Sequence, residues 1–326
     1  MRTITYLQAV REAMEEEMER DEKVFVIGLD VGTGLTFGVT TGMIDKFGKE
    51  RVIDTPIAEL SVAGVATGAA LNGLRPVMEV MLQDFITLCM EQITNQAAKA
   101  RLMTGGQLKA PVVFRAPGGW FGSFAAQHSQ SLEAWFAHIP GLKVIAPSTP
   151  AEAKALLKAA IRDDNPVAFF EHKKLFGRTG EVGEYGEDYV IEIGKADIKR
   201  EGTDVSIITY SNMIWEAIDA AEELAKEGIS CEILDLRTIS PMDREAICET
   251  VKKTGKVVVV EEGVETGGVG AEVTAVIADE VYAYLDAPVK RVACPMIPIP
   301  FNPDLERFVV PNKDNIIDAV REVYNG

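Results

Sequence analysis

Histidine is scarce in this chain. Only His128, His138 and His172 occur in 326 residues, too few for a metal centre that draws on several imidazoles. The four cysteines, Cys89, Cys231, Cys248 and Cys294, form no C-x-x-C pair and have no histidine at zinc spacing. Each lies in an apolar or amphipathic run, which points to buried, reduced thiols. No G-x-x-x-x-G-K-[ST] loop occurs, which argues against a P-loop nucleotide enzyme, and no G-x-S-x-G elbow occurs, which weakens a hydrolase reading. No apolar run is long enough to cross a bilayer. Residues 1–23 have neither the apolar core of a signal peptide nor the Arg-rich character of a transit peptide, so a cytoplasmic protein is expected. Basic residues are outnumbered, 33 against 50 acidic, for a net charge of −17. A field of that sign repels phosphate backbones and anionic lipid surfaces, so neither nucleic acid nor membrane is an expected partner.

What is present is a long, well-mixed globular chain. Hydrophobic residues make up 47%, enough at this length to bury a core without disulfides or a structural metal. At roughly 150 residues per domain, two domains are expected. Short apolar runs at 24–29, 51–53, 76–82, 112–115, 142–145 and 167–170 read as strands. They alternate with helix-like stretches at 58–74, 85–103 and 150–162, after a first amphipathic helix at 6–20 with Thr5 as its cap. Residues 173–202 are polar and glycine-rich, and the linker is placed there. Alternation resumes with strands at 205–210, 230–236, 257–261 and 289–293 and helices at 215–227, 243–254, 271–284 and 313–324. This pattern predicts two α/β domains with mostly parallel sheets. The mean hydropathy of +0.06 is slightly apolar for so charged a chain and hints at a buried interface.

Two glycine-rich loops follow strands. Gly32, Gly34 and Gly38 miss the dinucleotide spacing by one residue, and Gly267-Gly268-Val269-Gly270 also lacks the full fingerprint. Turn glycines are the better reading of both, with a nicotinamide-dependent dehydrogenase as the alternative. Among the histidines, His128 follows a glycine-rich aromatic loop (APGGWFG) on the C-terminal side of a strand, where α/β enzymes place their chemistry; surface exposure without function is equally compatible with it. His138 reads as partly buried, and His172, within a charged run, as solvated. Glu59 opens a helix of small apolar residues. A carboxylate there is favoured by the helix dipole alone, or its apolar neighbours raise its pKa so that it shares a proton with a ligand nitrogen.

A set of motifs then carries a resemblance. Asp54-Thr55-Pro56-Ile57-Ala58-Glu59, Gly73-Leu74-Arg75-Pro76, Asp84-Phe85, His128-Ser129-Gln130-Ser131, Pro147-Ser148-Thr149-Pro150, Ala160-Ile161-Arg162-Asp163 and Asp235-Leu236-Arg237-Thr238 resemble the β subunit of thiamine-diphosphate-dependent 2-oxo acid dehydrogenases, the E1 component. The match spans nearly the whole chain. Within that family, 126–132 and 194–202 look most like acetoin dehydrogenase β subunits.

The resemblance implies two three-layer, transketolase-like domains: a pyrimidine-binding domain at 1–185 and a C-terminal-like assembly domain at 186–326. The family's Gly-Asp-Gly motif for diphosphate and Mg²⁺ is absent from this sequence, so an α subunit is expected to supply that half in an α2β2 heterotetramer. The resemblance gives Glu59 the hydrogen bond to pyrimidine N1′ of thiamine diphosphate, which activates the cofactor. Phe85 would stack on the ring, with Ile57 and Met81 as neighbouring contacts. His128 would act near substrate and in acyl transfer to a lipoyl group. Val112, Ala160, Ile161, Asp163 and Asn165 match a potassium site built largely from carbonyl oxygens. Asp286 matches an acid that binds the lipoyl-bearing acyltransferase. The expected activity is cleavage of acetoin, or decarboxylation of a 2-oxo acid such as pyruvate or a branched-chain acid, with transfer of the acyl unit. A non-catalytic assembly subunit is the remaining alternative.

Overall fold

A computed structural model describes residues 1–35 and 37–326; position 36, inside the glycine-rich stretch 32–42, lies outside the described residues. The chain forms two compact units, Met1–Gly118 with Trp135–Ile193, and Gly119–Ala134 with Gly194–Gly326.

The first unit begins with β1 (Arg2–Thr5) and α1 (Tyr6–Arg20). Thr5 caps α1 reciprocally with Gln8, a capping box that satisfies two orphan amides. Then follow β2 (Val24–Gly28), α2 (Met43–Phe47), β3 (Val52–Asp54), α3 (Glu59–Leu71) and β4 (Arg75–Glu79). After α4 (Ala98–Met103) come β5 (Val113–Arg115), α5 (Glu133–Ala137), β6 (Lys143–Ile145), α6 (Pro150–Arg162), β7 (Val167–Phe169) and β8 (Thr179–Val182). Within this unit the main sheet runs β6-β7-β5-β4-β2-β3, all parallel. β1 pairs antiparallel with β8. Helix α6 packs on α1. Its boundaries match the expected 150–162, because Thr149, Pro150 and Glu152 make a complete N-terminal signal.

The helix expected over 85–103 is broken. A 3₁₀ turn covers Phe85–Cys89, a π-helical stretch Gln92–Ala97, and only α4 is α-helical. Ile86, Thr87, Ile93 and Thr94 are β-branched, and Thr87 and Thr94 bond back to the carbonyls of Asp84 and Met90 at 2.9 and 2.7 Å. Such side chains crowd and bend a helix.

The second unit holds β9 (Asp197–Arg200), β10 (Val205–Thr209), α7 (Met213–Lys226), β11 (Cys231–Asp235), β12 (Thr238–Ser240), α8 (Arg244–Thr254), β13 (Val257–Val264), α9 (Val269–Glu280), β14 (Lys290–Cys294), α10 (Pro303–Val309) and α11 (Lys313–Asn325). Its sheet order is β14-β13-β10-β11-β9, parallel except for β9 against β11. Ile207, Ile214, Leu224, Ile233, Val258 and Val320 sit in its core. Both units are thus α/β, as expected. Helix α10 is not among the expected helices, although Asn302 caps it and Pro303 takes its first position. Among the described residues no helix is long and apolar enough to cross a membrane. All four cysteines are free and buried.

Candidate functional site

In the first unit the chain passes from β2 to β3 on one side, then to β4 on the other side of β2. That reversal creates a crevice beyond the carboxyl ends of β2 and β4, the usual ligand position in open α/β sheets. The segments leaving β3 and β4 carry the predicted residues. Beyond β3, Thr55–Ala58 leads to Glu59, the first residue of α3. Beyond β4, residues 80–84 lead to the turn that bears Phe85. Glu59, Met81 and Phe85 are half-buried, and Ile57 is 76% exposed. Ala58 contributes no side-chain cap, so Glu59 is the acidic group at an N-terminus whose dipole favours negative charge.

The turn is held against the start of α3 by Cys89, whose Sγ donates to the Glu59 carbonyl at 3.5 Å. Burial, with the Glu59 charge as a second cause, pushes the Cys89 thiol up to about 12. Cys89 is therefore a packed thiol at neutral pH and not a nucleophile.

Behind these loops lies a buried charge triad that the linear pattern did not reveal. Arg115 ends β5 and donates Nε–H to Glu171 at 2.6 Å and Nη1–H to Glu79 at 2.7 Å. Glu79 is its register partner on β4. All three side chains are almost wholly buried. Burial pushes the Glu171 carboxyl up, with Arg115 opposing and Glu79 adding to the rise. Burial pulls Arg115 down, but the two carboxylates outweigh it and raise its pKa. The available signals were slight: Glu79 and Arg115 are the last residues of β4 and β5, and Glu171 lies two residues beyond β7.

His128 lies on the stretch 119–134, which clusters with the second unit. Gly119, Gly122, Ser123 and Ala125 all have positive φ, at 77°, 53°, 66° and 61°. His128 N–H donates to the Ala125 carbonyl at 3.3 Å, and Gly119 N–H to Gln130 at 3.0 Å. The loop closes on itself and leaves His128 half-buried. Ser129, Ser131, Glu262, Cys294 and Met296 line a neighbouring pocket of about 250 Å³.

The other two histidines depart from expectation. His138 is exposed. His172 is only 4% exposed and accepts from Lys174 N–H at 3.2 Å. It is drawn in because Gly118 and His172 form a β-bridge, with Lys173 N–H donating to Gly118.

The five potassium candidates lie in the first unit, four of them within 160–165. The carbonyls of Ile161 and Asp163 converge on Nη1 of Arg75, at 3.0 and 3.1 Å. The Val112 carbonyl accepts from Val167 N–H at 2.9 Å, and that of Ala160 from Asp163 N–H at 3.3 Å. The Asp163 carboxylate accepts from Lys143, and from Asn165 N–H at 2.8 Å. The donors are hard oxygens, as a monovalent cation requires, but a guanidinium shares two of them. Asp286 is exposed, and its N–H donates to Gly255 at 2.8 Å.

Both glycine loops wrap carboxylates of this chain. Gly270 N–H, at the start of α9, donates to Glu261 at 3.0 Å, and Arg291 reaches the same oxygen at 2.9 Å. A Cβ on Gly268 or Gly270 would lie 2.5 or 2.6 Å from that carboxylate. Gly32 N–H donates to Asp54 at 2.6 Å, and a Cβ there would meet its other oxygen at 2.3 Å. The place a dinucleotide phosphate would take at α9 is filled by Glu261.

Comparison with known proteins agrees with this architecture. The family described as "Transketolase, pyrimidine binding domain" matches residues 2–178, and "Transketolase, C-terminal domain" matches residues 194–316. A 2-oxoisovalerate dehydrogenase subunit beta of Bacillus subtilis (strain 168) is 48% identical over 326 residues, covering 99% of each chain. The chain belongs to the E1 β subunits of 2-oxo acid dehydrogenases. A pyruvate dehydrogenase E1 component subunit beta of Rhizobium meliloti (strain 1021) is 47% identical over 99% of this chain and 70% of that one. A solved structure described as a split gene transketolase, inactive beta4 tetramer, superposes with a TM-score of 0.81 at 26% identity, covering 99% of this chain and 98% of the other. The match of residues 2–178 to a transketolase pyrimidine-binding domain displaces the nicotinamide reading, whose sequence support lay in the two glycine loops.

Proposed function

We propose that this chain supplies the pyrimidine-facing half of a thiamine diphosphate site and works with an α partner as a 2-oxo acid dehydrogenase. The observation that carries this reading is Glu59, placed at the first position of α3 beside the turn that bears Phe85, at the crevice of the first sheet. When bound, the cofactor supplies an electron sink for cleavage of the bond next to a carbonyl. Glu59 holds a proton at the pyrimidine nitrogen N1′. Phe85 covers one face of the ring, and Met81 and Ile57 exclude water from its rim. A half-buried acid with an aromatic neighbour suits a flat, protonatable heterocycle.

The absence of a Gly-Asp-Gly motif supports placing the diphosphate and Mg²⁺ on the α chain. Exposed apolar residues beside the site, Ile57, Leu60, Val65 and Leu88, suit a surface that a partner covers in an α2β2 assembly. The structural neighbour's title, an inactive tetramer of β chains, agrees with a need for that partner. His128 serves the later step, moving a proton as the acyl unit passes to a lipoyl group on the acyltransferase, and Asp286 offers an exposed acid for docking that enzyme. The oxygens of Val112, Ala160, Ile161, Asp163 and Asn165 offer a potassium site shared with the Arg75 guanidinium.

Pyruvate or a branched-chain 2-oxo acid is the favoured substrate, because the relatives reported above are named for those acids. The resemblance of 126–132 to acetoin enzymes carries less weight. The test is turnover of the assembled α and β chains with pyruvate, 2-oxoisovalerate and acetoin, with and without added thiamine diphosphate. Thiamine-dependent turnover of a 2-oxo acid is expected. Turnover without the cofactor, or by the α chain alone, contradicts the reading.

A further inference from the structure

Two buried carboxylates grip the loop that carries His128, and neither has a role in the reading above. Glu306, on α10, is 1% exposed. Its two oxygens accept from Ser123 N–H at 3.1 and 2.9 Å. Glu262, on β13, is 8% exposed. One of its oxygens accepts from Trp120 N–H at 2.7 Å and from the Ser131 hydroxyl at 3.2 Å. The gripped positions, 120 and 123 before His128 and 131 after it, bracket the imidazole in the chain.

The backbone between them needs such support. Ser123 and Ala125 hold φ of 66° and 61°, a region that L-residues with a Cβ avoid. A hydrogen bond from an amide to an ionised carboxylate is stronger than one between neutral groups. A buried carboxylate also demands donors, because leaving it unpaired is costly. Each side therefore requires the other. Ser123 is fixed by Glu306, Ala125 follows two residues on, and the Ala125 carbonyl takes the His128 N–H at 3.3 Å. Asn302 and Pro303 start α10 just before Glu306, which places its carboxylate against the loop.

We infer that Glu306 and Glu262 are positioning residues for His128. They hold the loop so that the imidazole is presented in one place for acyl transfer. This rests on the role given to His128 above. It assigns work to a segment, 302–309, for which the linear pattern suggests neither a helix nor a role.

The test uses β chains carrying Glu306→Ala, Glu306→Gln, Glu262→Gln or His128→Gln, each assembled with the α partner, in transfer to an isolated lipoyl domain. Glu306→Ala is expected to lower kcat about tenfold or more while KM for the lipoyl domain stays within about twofold. Glu306→Gln keeps one acceptor oxygen and should recover most of the loss. Glu262→Gln should show a smaller fall in kcat of the same kind. A role confined to folding would not separate kcat from KM or be rescued in this order. If Glu306→Ala does not assemble, amide exchange at Ser123 in Glu306→Asp, whose shorter side chain draws the carboxylate back from that N–H, replaces it, with faster exchange expected. Wild-type kcat in Glu306→Ala, or unchanged Ser123 exchange in Glu306→Asp, overturns the inference while His128→Gln is impaired. Wild-type transfer by His128→Gln overturns the role of His128 itself, and the inference with it.

Discussion

Arg115 and Glu171 meet at 2.6 Å with both side chains almost wholly withdrawn from solvent. One guanidinium there serves two carboxylates, since Glu79 lies at 2.7 Å on its other edge. Removing the cation leaves two like charges buried. Arg115→Met is expected to destabilise the first unit by about 3–5 kcal/mol, measured by chemical denaturation. A change within the scatter of surface substitutions would contradict the account of the triad.

The pH dependence of Glu171 has a definite sign. Its folded pKa lies above its unfolded value, mainly through burial. The protonated form is thus favoured by the fold. Its contribution is fully present below the unfolded value of about 4.3 and is lost as pH rises through the raised folded value. Glu171→Gln removes that loss. The wild-type chain should therefore lose stability relative to Glu171→Gln as pH increases through that window, read from denaturation midpoints. A constant difference would contradict it.

The cysteines should be silent in the folded protein. Burial pushes the thiols of Cys89 and Cys231 up to about 12 and that of Cys248 up to about 11, and it raises Cys294 as well. At pH 8 a thiol reagent is expected to find none of them reactive in native protein and all four after denaturation. Rapid native labelling of any one would show that its surroundings open readily.

Gly270→Ala tests the internal carboxylate at α9. The added methyl would lie 2.6 Å from Glu261, so stability should fall by about 1–3 kcal/mol. Gly270→Ala combined with Glu261→Ala should recover part of that loss. Equal destabilisation in the single and double variants would mean that the glycine is needed for another reason.

Much of this was legible in the linear chain, for identifiable reasons. The strands around Val26, Val77 and Val167 are runs of buried apolar residues, and α6 announces itself through Thr149, Pro150 and Glu152. Glu59 stood out as a lone acid at the head of an apolar helix. Other features depend on what meets in space. The charges of His172's neighbours suggested solvent, yet its backbone is tied to Gly118 and the ring is buried. Ile86, Thr87, Ile93 and Thr94 broke a helix that the apolar spacing at 85–103 had suggested. Glu262 and Glu306 lie far along the chain from Trp120 and Ser123, so no local pattern could join them.

In the proposed function Glu59 carries the activating proton of a thiamine-dependent site. Glu59→Gln keeps the size of the side chain and removes the carboxylate. Assembled with the α chain, the variant should bind thiamine diphosphate in calorimetric titration and lose turnover of the preferred 2-oxo acid by about a hundredfold or more. Turnover equal to wild type at saturating cofactor would contradict the account.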